Sequence, residues 1–125
     1  MFIVTKNPTF TAPVVAQIPA DGGRFNKIKF SVVFKALEKQ DVQDLLKEIR
    51  ERAKAVQEDT DATPLTDREV LDQVFVGFGP DLVEEDRTPM EFTPANVDRL
   101  CAIWPLEGAI VKSFFDNYVN GPAKN

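Results

Sequence analysis

Residues 25–34, FNKIKFSVVF, alternate with a period of two, and this constrains the fold more than any other feature of the chain. Ile28, Phe30, Val32 and Phe34 fall on one face. Lys27, Lys29 and Ser31 fall on the other, followed by Val33, which is the pattern of a strand with one wet side. Just upstream, PADGG at residues 19–23 is a turn signal, because glycine supplies positive φ and proline fixes the entry. Before it, Val14, Ala16 and Ile18 alternate with Pro13, Val15 and Gln17. Pro13 belongs near a strand start or on an edge. The two runs predict a β-hairpin turning at residues 19–24. A lone hairpin is marginal in water, so it must pack on helices or gain a third strand. Residues 2–5 are the candidate third strand, within a mixed segment 1–11 that Pro8 interrupts and that reads as an arm or an edge strand.

The rest of the chain reads as helices. Asp41 is the predicted N-cap of a helix over residues 42–57. Its stripe is Val42, Leu45, Leu46, Ile49, Ala53 and Val56, at spacings of three and four. Residues 58–64 are polar and predict a loop. Thr66 and Glu69 form a T-x-x-E capping box before Val70, Leu71, Val74, Phe75 and Phe78. Gly77, Gly79 and Pro80 are the predicted stop of that second helix. After an acidic loop at 81–92, Thr93 and Pro94 supply a hydroxyl N-cap and a proline at the first helical position. Val97, Leu100, Cys101 and Trp104 then predict one apolar face. Pro105 separates this helix from the last one, whose apolar face holds Leu106, Ala109, Ile110, Val111, Phe114 and Tyr118. Gly121 and Pro122 are its predicted terminators, and Ala123, Lys124 and Asn125 its tail.

The predicted fold class is α+β: an N-terminal β-hairpin or small antiparallel sheet followed by about four α-helices. At 125 residues the chain has the length of a single domain, 1–125, with a hairpin region at 1–35 and a helical region at 41–121. Ten Phe, from Phe2 to Phe115, predict an aromatic-rich core. The formal net charge of −5 repels phosphate backbones and argues against nucleic acid as a partner. The densest basic stretch, residues 47–54, alternates with Glu48 and Glu51 and reads as a solvated helix face. Lys27 and Lys29 point away from Phe30, so they build no stacking platform. One cysteine allows no intrachain disulfide and fits a reducing compartment. The first ten residues lack the basic and apolar regions of a signal peptide, and no apolar run is long enough to span a bilayer.

Catalytic chemistry finds little to work with. The chain has no histidine, which removes Ser-His-Asp and Cys-His arrangements and the commonest metal ligand. Cys101, between Leu100 and Ala102 on a predicted helix, reads as a small core residue. Asp81, Glu84, Glu85 and Asp86 lack the spacing of a calcium loop and read as a solvated acidic loop. The paired glycines at 22–23 and at 77 and 79 match no phosphate-binding pattern. No catalytic, cofactor or metal site is predicted, and the chain is not expected to be an enzyme.

Taken in order, these segments resemble the tail assembly chaperones of long-tailed bacteriophages. KIKFSVVFKAL leads into the charged amphipathic helix DVQDLLKEIRERAKAV. EVLDQVFVGFG carries an aromatic-glycine step, and TPMEFTPANVDRL a hydroxyl-capped helix start. AIVKSFFDNYVNG and the ending PAKN close the chain. The resemblance covers residues 26–125. Phe78 stands where many relatives have Trp, and residues 1–25 match nothing in it.

The resemblance implies a non-enzymatic protein of the host cytoplasm. It would bind the tape measure protein, and with it possibly the tail tube protein, and keep that long helical chain soluble until the tube polymerises around it. Coating a long client implies many copies and self-association. Apolar grooves on an acidic, soluble body fit that task. Trp104, Phe114, Phe115 and Tyr118 are the candidate partner contacts, since aromatic rings anchor interfaces. Phe115, turned about 100° from Phe114 by helix geometry, is the ring expected to be most exposed. The alternatives are a head–tail connector or tail completion protein, which would stay in the virion, and a small cytoplasmic adaptor.

Overall fold

A computed structural model describes residues 1–59 and 61–120. The hairpin forms as the alternation predicts, and its strands are longer than the alternating runs. Strand β1 (Thr9–Ala20) pairs antiparallel with β2 (Arg24–Lys35), with Val14 opposite Phe30 and Ala16 opposite Ile28. Asp21–Gly23 make the turn, where Gly22 and Gly23 both take φ of 76°. That region favours residues without a Cβ. Pro13 and Pro19 both lie in β1, an edge strand, where a missing donor costs the ladder nothing on its outer side. The Pro13 carbonyl accepts from Ser113 Oγ at 2.6 Å, which ties the hairpin to the last helix.

Helix α1 (Lys39–Glu58) starts earlier than predicted. Its N-cap is Glu38, whose side chain makes no capping bond. Asp41 therefore sits within the first turn, where a carboxylate still complements the helix dipole. Of the α1 stripe, Leu45 alone is buried; Val42, Leu46 and Ile49 are half-buried, while Ala53 and Val56 are exposed. Arg52 holds the far end of the helix down. Its guanidinium lies 2.7 Å from Glu69 and donates to the carbonyls of Thr63 and Pro64.

Helix α2 (Asp67–Val74) has the predicted capping box. Thr66 Oγ1 accepts from the Glu69 N–H at 3.1 Å, and Glu69 accepts from the Thr66 N–H at 3.2 Å. The predicted run to Phe78 does not stay helical. Phe75–Phe78 leave as strand β3, which pairs antiparallel with β2 and places Val32 opposite Phe78. The third strand thus comes from residues 75–78 and not from residues 2–5, whose side chains are exposed. The reason is non-local: β2 has an unfilled edge, and Phe75 and Phe78 gain ring contacts there with Phe34 and Phe92.

Helix α3 (Pro94–Cys101) begins at Thr93, whose hydroxyl accepts from the Asn96 N–H, with Pro94 next, as predicted. It ends at Cys101, before Trp104. Helix α4 (Leu106–Phe114) runs into a π-helical turn over Phe115–Val119. The predicted terminators Gly121 and Pro122, and the tail after them, lie outside the described residues. Among the described residues the class is α+β, a three-stranded antiparallel sheet with four α-helices. One core draws on both regions: Phe34 from the sheet packs on Phe114 of α4 at 5.3 Å between ring centroids, with Phe10 and Phe75 beside it.

Candidate functional site

The four candidate rings are not alike: one is buried, two are half-buried and one is exposed. Phe114 is 0% exposed and belongs to the core, so it is no surface contact. Tyr118 is half-buried; it stacks on Phe10 at 4.9 Å and donates its hydroxyl to the Leu37 carbonyl at 2.6 Å. Phe115 is half-buried too, edge-on to Phe114 at 5.4 Å. Phe115 keeps the helical step from Phe114, with its N–H on the Val111 carbonyl, and is half-buried because its ring packs against the core rather than facing water; the chain widens only after it, where the Asn120 N–H donates to the Phe115 carbonyl five residues back. Trp104 is the exposed ring, at 81%.

Local sequence explains why Trp104 stands clear. The α3 stripe ends at Cys101, and Pro105 cannot continue a helix from the preceding residue. Residues 102–105 therefore make a corner, with the Ile103 N–H donating to the Leu100 carbonyl and the Leu106 N–H to the Ile103 carbonyl. The Trp104–Pro105 peptide is cis. The corner lifts Ile103 and Trp104 off the core together, and Ile103 is 45% exposed.

Beside this corner lies an open groove of about 440 Å³. Val15 and Ala16 of β1 form one wall, and Ile103, Trp104, Pro105 and Ala109 the other. Asp67, Glu107 and Lys112 mark its polar border. On the far side of Ile103 a second opening of about 390 Å³ runs under the loop, lined by Ile18, Ile28, Leu82, Val83, Met90 and Leu100. Ile103 borders both, so the two form one apolar track across the corner. The sequence signal for it was Ile103, an apolar residue outside either helical stripe, beside Trp104 and immediately before a proline.

The titratable groups near the track hold structure. Burial first, and Glu107 second, push the Cys101 thiol up, so little thiolate is available for nucleophilic attack. Glu84 pairs with Arg99 at 2.9 Å, which holds its carboxyl below the usual range. Asp86 accepts from the Thr88 hydroxyl at 2.6 Å, and Asp81 from the Ser31 N–H at 2.9 Å. Each of these three loop carboxylates is thus spent on a neighbour. Among the described residues no three His, Cys, Asp or Glu side chains gather as a metal-binding group, and no helix is long and apolar enough to cross a membrane.

The corner thus presents an open apolar surface, and the loop carboxylates near it are paired. The chain belongs to the phage tail assembly chaperone family, whose model matches residues 1–125, the whole chain. The match takes in the first 25 residues, which the sequence resemblance left out. Membership points to a non-catalytic role and to tail proteins in general as partners. No curated protein and no solved structure matches the chain.

Proposed function

We propose that this chain binds the tape measure protein in the host cytoplasm and keeps it soluble until tail tube subunits enclose it. The observation that carries this reading is Trp104, 81% exposed at the lip of an apolar groove that stands open among the described residues. A tape measure chain presents apolar helical stripes, and an open groove with an aromatic anchor takes such a stripe by helix-in-groove contact. Trp at the centre of an apolar patch is the residue type that most often dominates binding energy. The acidic body, at pI 4.7, keeps the complex soluble.

Co-expression with the tape measure protein of the same phage tests the reading. The client should stay soluble and co-purify with the wild-type chain, and Trp104→Ser should lose the client at least tenfold while folding normally. A client that is soluble alone and forms no complex sinks the proposal. Detection of the chain in purified virions would favour a connector or tail completion protein instead.

A further inference from the structure

The two sides of the Trp104 groove differ in charge. On the sheet side, Val15 faces Lys29 across the hairpin and Gln17 faces Lys27. Directly opposed side chains of an antiparallel pair stand about 5 Å apart on one face. All four are exposed, so the rim of the groove continues from Val15 onto the ammonium groups of Lys27 and Lys29. The hairpin sets no carboxylate beside them. Residues 1–35 hold Lys6, Arg24, Lys27, Lys29 and Lys35 against Asp21 alone, which lies in the turn. Asp81, which reaches the neighbouring Ser31, is held there by the Ser31 N–H at 2.9 Å. Among the described residues the ion pairs all lie outside the hairpin, and Lys27 and Lys29 take part in none.

The helical side is acidic. Asp67 at the start of α2 and Glu107 in the first turn of α4 both line the groove. Asp67 lies over α4, its Oδ2 3.6 Å from where a Cβ on Gly108 would stand. Among the described residues neither carboxylate makes an ion pair. Lys112, the cation that lines the groove, is paired with Asp116 one turn on. Exposed apolar side chains, Val15, Ile103 and Trp104, thus run between unpaired cations on one side and unpaired anions on the other.

The geometry points to a client helix of one charge pattern: an apolar stripe with carboxylates along one flank and ammonium or guanidinium groups along the other. The stripe lies on Val15, Ile103 and Trp104. The acidic flank meets Lys27 and Lys29, and the basic flank meets Asp67 and Glu107. This rests on the reading of the Trp104 groove as a helix site, and adds to it what the groove selects. Exposed ion pairs supply little affinity. A flank of the wrong sign, however, sets like charges against each other, so the gain is in discrimination. An apolar stripe is common to most surface helices of globular proteins. Rims of opposite sign let the groove refuse those whose flanks do not match.

Fluorescence anisotropy with three labelled helical peptides tests this on the purified chain at low salt. All three carry the same leucine stripe. One has Glu on one flank and Lys on the other, one has Glu on both flanks, and one has Lys on both. The wild type should bind the mixed peptide at least tenfold more tightly than either uniform one, and high salt should narrow the difference. Lys27→Glu with Lys29→Glu makes both rims acidic and should move the preference to the all-Lys peptide. Both positions are exposed, so the fold should be kept. Asp67→Asn with Glu107→Gln leaves the basic rim alone and should move the preference to the all-Glu peptide. Trp104→Ser should weaken all three and keep their order. A wild type that binds the three alike, or binds either uniform peptide best, overturns the proposal, as does an order that neither rim variant alters. Equal binding that is still lost in Trp104→Ser would mean a groove that holds a helix without sensing its flanks, and client binding at Trp104 would stand without this selection. If no peptide binds, the groove is not a helix site and both fall.

Discussion

Gly79 lies so close to Ser31 that a Cβ on it would sit 2.6 Å from the Ser31 Cβ and 2.7 Å from the Ser31 carbonyl oxygen. The approach is close because the Gly79 N–H donates to that carbonyl at 2.8 Å, while the Ser31 N–H donates to Asp81 at 2.9 Å. Ser31 is thereby held on both its backbone groups just where β3 ends. Two of the obstructing atoms are backbone, which cannot step aside as a side chain can. Gly79→Ala should therefore cost about 2 kcal/mol, the range for an overpacked methyl. Chemical denaturation would show it as a lower midpoint at unchanged slope. An unchanged midpoint would mean that the end of β3 is loose.

Glu69 has two tasks, capping α2 through Thr66 and receiving Arg52 from α1. The Arg52 guanidinium first, and the Thr66 N–H second, hold its carboxyl below the usual 4.5. A carboxyl whose folded value is depressed gives stability that is present above the unfolded value and is lost as pH falls through the folded one. Glu84, lowered by Arg99, behaves alike. Stability should thus decline as pH drops below about 4.5. Denaturation midpoints measured over that range should fall less steeply for Glu69→Gln and for Glu84→Gln than for the wild type. The same acid slope in all three would show that these pairs are screened out in solution.

The aromatic series separates the core from the surface. Phe114→Ala removes the ring that joins α4 to Phe34 and Phe10, and should cost about 3–5 kcal/mol. Tyr118→Phe keeps the stack on Phe10 but removes the hydrogen bond to Leu37, a loss of about 1 kcal/mol. Trp104→Ser, at an exposed corner, should stay within about 0.5 kcal/mol of the wild type. Thermal melts of the three variants would rank them, and any other order would mean that the corner packs against the body.

The parts of this fold that were legible in the sequence are those that local chemistry decides. Period two between residues 25 and 34, the glycines at the turn, the Thr66–Glu69 box and the Thr93-Pro94 start each specify their own structure within a few residues. Strand β3 was not legible, because Val74, Phe75 and Phe78 also fit a helical stripe and only pairing with β2 decides between the two. Trp104 was misplaced for a related reason. It falls three residues after Cys101 and so extends the α3 period, yet the helix stops short of it. Phe115 was misread because the 100° step sets its direction but not what packs there: its ring lies edge-on to Phe114 and against the core. The candidate site arises where two helical stripes are interrupted, so periodicity is least informative there.

Trp104 is the only tryptophan in the chain, which makes its own fluorescence a reporter of the groove. In the free protein the emission should be that of a solvated indole, and acrylamide should quench it almost as freely as it quenches free tryptophan. Binding of an apolar helical segment should move the ring out of water, shift the emission to the blue and protect it from the quencher. A titration with peptides from the tape measure protein would therefore read client binding alone. A blue-shifted, protected emission already in the free monomer would mean that the corner folds the ring inward in solution, leaving the groove without its anchor.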